Sequence, residues 1–307
     1  MPHRRWPAFL AILTLQVAVQ EVVTARDDAY DVARVRWSRL EFRASKLLLT
    51  ASSVVEIGTG SSAEARTEWL QPVRGTPLMP TGSEVVRIGL DSQLLGKTSE
   101  LDLWVDPSSG AAFQRMQSEV GKKVRHHRHR SLRFTHTGVS SATYRANDAT
   151  VAKPFDQWTL TESFATYPKN LSPQDVVSEP SVLFYLLAVA QLDEPGDQVA
   201  THVFSKGQVM RVNLVVEERT TIRADYVVSG AASGSEERVE GRKEALRIRL
   251  DGRPLIDGDS EMDFEFLGLK GDVEVLLDPE GRFPLQINGD IKRAGRGRIR
   301  LQRVVLK

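Results

Sequence analysis

The sequence predicts a mainly β protein: a large curved antiparallel sheet, a half-barrel, wrapped around a short apolar helix. Three observations carry this. Residues 182–190 are apolar or aromatic without a break, with Ser178 and Pro180 before them and Pro195-Gly196 after, a start and a stop signal for a helix. Charged and apolar residues alternate through the second half, as in Leu246/Ile248/Leu250 against Arg247/Arg249 and Ile299/Leu301 against Arg298/Arg300. Such period-2 runs belong to antiparallel sheets with one buried face and one wet face. Finally, a strand, an Asp-Pro turn, a glycine and a second strand occur in both halves, at Asp106-Pro107 with Gly110 and at Asp278-Pro279 with Gly281. Asp bonds the turn backbone, Pro sets φ, and Gly accepts a left-handed position.

The chain has 307 residues, 41% of them hydrophobic, enough to bury a core as one β-rich domain over residues 26–307. Its first 25 residues read as a secretory signal peptide: His3, Arg4 and Arg5, an apolar run over 6–19, then small residues at Val23-Thr24-Ala25. A first core helix fits less well, because Pro7 and the basic start suit export. Removing residues 1–25 takes away Arg4, Arg5 and Glu21 and leaves 39 of 41 basic and 39 of 40 acidic residues. A near-neutral chain argues against nucleic acid as partner. The absence of cysteine excludes disulfides, thiolate metal sites, thiol nucleophiles and a lipid-modified N-terminal cysteine. No second apolar segment approaches the roughly 20 residues that span a bilayer. A periplasmic protein fits these bounds.

Taken in order, residues 32–42 and 46–57 read as the first strands. Val35 and Trp37 fall on one parity and Leu40 and Phe42 on the other, which predicts a β-bulge near Ser38-Arg39. Residues 58–83, rich in Gly, Ser and Pro, read as a long loop whose Trp69, Leu70, Leu78 and Met79 pack back on the sheet or form a flap. Two strands follow over 84–106. Residues 122–134 read as a basic strand pair, 158–168 as irregular or weakly helical, and 229–241 as a flexible hairpin tip. Strands close the chain, one of them over Met262, Phe264 and Phe266.

The stretch Leu101-Asp-Leu-Trp-Val-Asp-Pro107, the segment 278–289 and the closing strand over 295–301 resemble the secreted bacterial family called domain of unknown function 3108. That family in turn looks like the half-barrel carriers LolA and LolB, which hold acyl chains of lipoproteins under a helical lid. The resemblance implies a carrier of lipid or lipoprotein. It implies no catalytic residue and no cofactor, and this chain lacks the lipid-bearing cysteine of LolB.

Other motifs carry less. Ile57-Gly58-Thr-Gly60-Ser-Ser-Ala63 matches a phosphate-cradling dinucleotide fingerprint, but no crossover helix follows, so a loop is the better reading. His127 and His129 would share a strand face and could join a metal site. The cations around them, Lys122, Lys123, Arg125, Arg128 and Arg130, favour a solvated basic edge strand or a patch for an anionic partner. Asp257, Asp259, Glu261 and Asp263 lack the glycine and distal glutamate of a calcium loop. Trp37, Phe42, Trp104, Leu183, Phe184, Leu187, Phe264 and Phe266 either pack as core or line an apolar groove, with Leu183, Phe184 and Leu187 on the lid side.

Overall fold

A computed structural model describes residues 30–46, 49–94, 96–230, 234–255, 264–291 and 295–307. The export signal expected over residues 1–25 and the acidic run 257–263 lie outside the described residues. The described residues fold as one large curved antiparallel sheet of fifteen strands. The first eight strands are β1 (Trp37–Lys46), β2 (Leu49–Ser61), β3 (Glu84–Leu94), β4 (Lys97–Val105), β5 (Ala112–Val120), β6 (Arg128–Phe134), β7 (Gly138–Arg145) and β8 (Thr159–Thr166), with the short helix α1 (Ser62–Thr67) after β2. The two-residue β9 (Val177–Ser178) leads into helix α2 (Val182–Val189). After it come β10 (Gln198–Ser205), β11 (Gln208–Gly230), β12 (Glu236–Pro254), β13 (Leu269–Leu277), β14 (Pro284–Ile291) and β15 (Gly295–Leu306).

The strand order runs from β8 down to β1, then β15, then down from β14 to β9. β15 therefore joins two wings, pairing with β1 on one side and β14 on the other. The long β11–β12 hairpin reaches past β13, and its tip at Val227–Gly230 pairs in parallel with Arg303–Leu306 of β15. That second pairing closes a circuit of strands β11 to β15. At the far ends the sheet bends round until β9 touches β5.

α2 sits inside this bend as a plug. None of its eight residues is more than 3% exposed, as a helix apolar on every side requires. Leu183, Phe184, Leu186 and Leu187 contribute an upper limit of about 1.5–3 kcal/mol each. The inner faces of both wings supply the rest of one core, from Leu40 and Phe42 to Val212, Ile248, Val275 and Ile287.

The two Asp-Pro turns both hold the plug, the first at its middle and the second at its C-terminal end. In the first, the Asp106 carboxylate accepts from the backbone N–H of Ser108 and Ser109 at 3.0 Å, and Gly110 takes φ 72°. Its Pro107 carbonyl accepts the Tyr185 hydroxyl at 2.5 Å. In the second, Asp278 accepts from Glu280 and Gly281 at 3.0 and 2.7 Å. There the left-handed residue is Arg282, at φ 55°, in the place that Gly110 holds in the first turn. The buried Arg282 guanidinium donates to the carbonyls of Ala188, Ala190 and Leu192 just where α2 ends.

The bulge expected near Ser38-Arg39 falls between Trp37 and Arg39 in the β1–β15 register, and it keeps Trp37, Leu40 and Phe42 all buried. Other expectations need correction. Residues 32–34 form a 3-10 turn ahead of β1, capped by the Asp31 carboxylate. Gly58 to Ser61 are strand, paired in order with Arg87, Val86, Val85 and Glu84 of β3, and only the remainder of 58–83 crosses the opposite face of the sheet. Because β2 is antiparallel to both neighbours, the glycine fingerprint has no parallel crossover to serve. Residues 124–126 form a 3-10 turn, and the basic strand β6 is interior, between β5 and β7, so it is not an edge. The segment expected to be irregular is β8, which is the edge. The strand expected over Phe264 and Phe266 is replaced by a tight turn bridging Phe266 to Leu269. The hairpin tip expected over 229–241 is strand at 229–230 and 236–241.

Candidate functional site

The groove candidates lie in three places. Trp37, Phe42, Leu183, Phe184, Leu187, Phe264 and Phe266 belong to the main core, where α2 occupies the space between the sheet's inner walls. Phe184 meets Phe42 and Phe266 with ring centres 6.1 and 5.2 Å apart. Trp104 lies on the opposite face, in a second cluster with Trp69, Val85 and Phe113 under the 62–83 segment. There Trp69 stacks on Phe113 and the Arg133 guanidinium lies over its ring at 4.8 Å. Of the eight, Phe266 also borders a large cleft on the inner face.

That cleft has a volume of about 900 Å³, within the roughly 300–1,000 Å³ of ligand sites. It opens beside the first turn of α2, between the inner face of β3 to β8 and two turns on the other wing. Leu90, Leu101, Leu132, Val139, Phe204 and Phe266 make an apolar floor. Toward the strand ends the lining turns polar, with Gln117, Ser141, Thr143 and Ser163. The period of two puts this gradient along single strands: on β6, Leu132 faces the floor while Arg130 and Arg128 stand farther out on the same side.

Among the described residues four cations line the cleft, and three have carboxylates. Arg115 lies 3.2 Å from Glu179, Arg128 lies 2.5 Å from Glu119, and Lys206 lies 2.6 Å from Glu265. The Arg115–Glu179 pair ties β5 to the residue that precedes α2, and Glu179 also accepts the Ser181 N–H at 2.8 Å. Its side chains are about 10% exposed. Glu179→Ala leaves Arg115 half-matched beside a cleft that admits water, so the expected loss is about 2 kcal/mol, below the 3–5 kcal/mol of a dry interior. Urea unfolding measures it, and the double change Arg115→Met with Glu179→Ala is expected to recover most of it.

The far wall is two hairpin turns. Lys206-Gly207 joins β10 to β11 with φ 52° and 90°, and Leu267-Gly268 joins Phe266 to Leu269 with φ 53° and 80°. Both have the pattern of positive φ at the two central residues that favours Asn or Gly. A leucine held there is strained by about 1 kcal/mol.

The histidines do not converge. His126 ends the 3-10 turn and His127 caps it, with His127 Nε2 2.8 Å from the Gly121 carbonyl, while His129 is on the face of β6 away from the cleft. Among the described residues no group of three or more His, Asp or Glu gathers at metal-binding spacing. His129 is buried against Phe155, ring centres 3.9 Å apart, with Nδ1 2.9 Å from the Ser118 hydroxyl and Nε2 without a partner. Burial lowers its pKa, since the imidazolium would carry a second N–H with no acceptor. A folded-state pKa below the unfolded value gives stability that is present above about pH 6.5 and lost as pH falls through the folded value. Unfolding free energy is therefore expected to drop between pH 7 and pH 5, and His129→Asn to flatten part of that slope in paired denaturant titrations.

No helix among the described residues is long and apolar enough to cross a membrane. Comparison with family models, with curated proteins and with solved structures finds no match to this chain.

Proposed function

We propose that this chain is a non-enzymatic binding protein of the bacterial envelope, exported by its first 25 residues to the periplasm, that holds an acyl chain of a lipid or lipoprotein in the inner-face cleft. The observation that carries the reading is the graded lining: an apolar floor from Leu90, Leu101, Leu132, Val139, Phe204 and Phe266 passing into a polar, charged rim. An amphiphile matches that gradient, with its chain on the floor and its polar end outward. Leu267, an apolar side chain kept in a strained turn on the cleft wall, supports it.

The plug favours a second reading. With α2 buried on all sides, the half-barrel is full where the groove was expected, as suits an interaction protein of the envelope with no ligand. Organic extraction and mass spectrometry of protein purified from a periplasmic fraction separates the two. Acyl species recovered in stoichiometric amount support the carrier, and a clean extract together with no saturable uptake of added fatty acid supports the filled core.

A further inference from the structure

Arg130 is the one cleft cation without a carboxylate among the described residues. It stands on β6 opposite Gln117 of β5 and Thr143 of β7. Its Nε is buried and makes no hydrogen bond. The acid nearest in the lining, Glu119, is engaged by Arg128, and Glu179 and Glu265 are engaged by Arg115 and Lys206. Burial first, then the neighbouring positive charges of Arg128 and Arg115, push its pKa below the ordinary guanidinium value. A guanidinium stays charged under such pressure, and although Glu119 pulls the other way, Arg130 has no carboxylate of its own among the described residues. Half-buried cations of this kind are costly unless an anion meets them.

We infer that Arg130 receives the anionic head of a single-chain amphiphile, a carboxylate or phosphate, whose chain lies on the Leu132 and Val139 floor. This rests on the carrier reading above and names the ligand's polar end. The spacing suits it. Leu132 is two residues along the same face, about 7 Å away, so a head on the Arg130 fork puts the first methylenes over Leu132. Guanidinium is the group that engages a carboxylate or phosphate with two parallel N–H donors. Thr143, across the strand from Arg130, and Ser141 and Ser163 beside it offer hydroxyl donors on the same wall.

The test is calorimetric titration at low salt with three probes below their micellar concentrations: dodecyl phosphate, dodecyl maltoside with the same chain and a neutral head, and inorganic phosphate. The native protein is expected to bind dodecyl phosphate at least tenfold more tightly than the maltoside and inorganic phosphate far more weakly. Arg130→Gln is expected to lose that preference, weakening dodecyl phosphate ten- to a hundredfold while leaving the maltoside unchanged. Because the change removes an unmatched charge, the variant should melt at or above the native temperature. The probe comparison on native protein decides the matter even where the variant fails to fold. Equal binding of both dodecyl probes overturns the anionic head and leaves the carrier reading standing. Inorganic phosphate binding as tightly as dodecyl phosphate overturns it as well, because the site then holds a free anion. Binding of neither dodecyl probe removes the carrier reading itself.

Discussion

Arg282→Ala is expected to lower the unfolding free energy by about 3–5 kcal/mol, seen as a lower urea midpoint with an unchanged slope. Arg282 donates to the Ala188, Ala190 and Leu192 carbonyls and lies 2.8 Å from the Asp193 carboxylate. The last carbonyls of any helix lack partners within it and form the negative end of its dipole. Here Ala188 and the residues just past the helix are buried, so without Arg282 the Ala188 and Leu192 carbonyls lose their donor at about 1–3 kcal/mol each, while that of Ala190 keeps the Leu192 N–H. Arg34, which reaches the Val189 carbonyl at 3.1 Å, limits the damage without replacing the cap. The backbone supplies an internal control. At φ 55° an alanine costs about 1 kcal/mol more than a glycine, so Arg282→Gly is expected to be milder than Arg282→Ala by that amount. If alanine and native proteins unfold at the same urea concentration, the cap is not what holds the plug.

Phe184→Ala is expected to cost a similar 3–5 kcal/mol, measured as a loss of thermal stability. Phe184 is fully buried, and its ring joins Phe42 of β1 to Phe266 of the opposite wing, so its removal leaves a hole where three elements meet. Phe266→Ala removes a face of the same contact. The double variant is therefore expected to be less destabilised than the two single changes added together. Strict additivity would show that the rings do not act as one packed unit. A dry apolar hole of this kind also accepts small aromatics, so benzene is expected to raise the melting temperature of Phe184→Ala and not that of the native protein.

The parts of the fold that were legible in the sequence each had a local signal. α2 announced itself by an unbroken apolar run between stops, the bulge at Trp37–Arg39 by a slip in parity, and the two hairpins by Asp-Pro chemistry. What was not legible had no such signal. β8 reads Thr-Leu-Thr-Glu-Ser-Phe-Ala-Thr and is mostly exposed, so neither face shows a buried period. Gly58 and Gly60 look like loop residues and become strand only because β3 pairs with them. The groove candidates share only their apolarity, and whether an apolar wall faces a plug or a cleft depends on sheet curvature, which one strand does not encode. In the sequence Arg130 is one cation of a basic run, and its place on the cleft face with Arg128 and Leu132 comes from the structure. That every acid around it belongs to another cation follows from cross-strand register and from Glu179 arriving from 49 positions away in the chain.

Among the described residues β15 is the only strand that links the wings, and it follows the other fourteen in chain order. During synthesis, then, the β1 edge, the β14 edge and the β11 tip all wait for residues 295–306 before β15 covers them. Most of the molecule can gather into two separate halves early, but the enclosure around α2 is completed in one late event between segments as distant as 227–230 and 303–306. Such non-local closure is slow, and until it occurs two long bare strand edges stand open to misassembly with neighbouring chains. A chain interrupted a few residues short of Leu306 is thus expected to lose the seam of the whole molecule and not merely a frayed end.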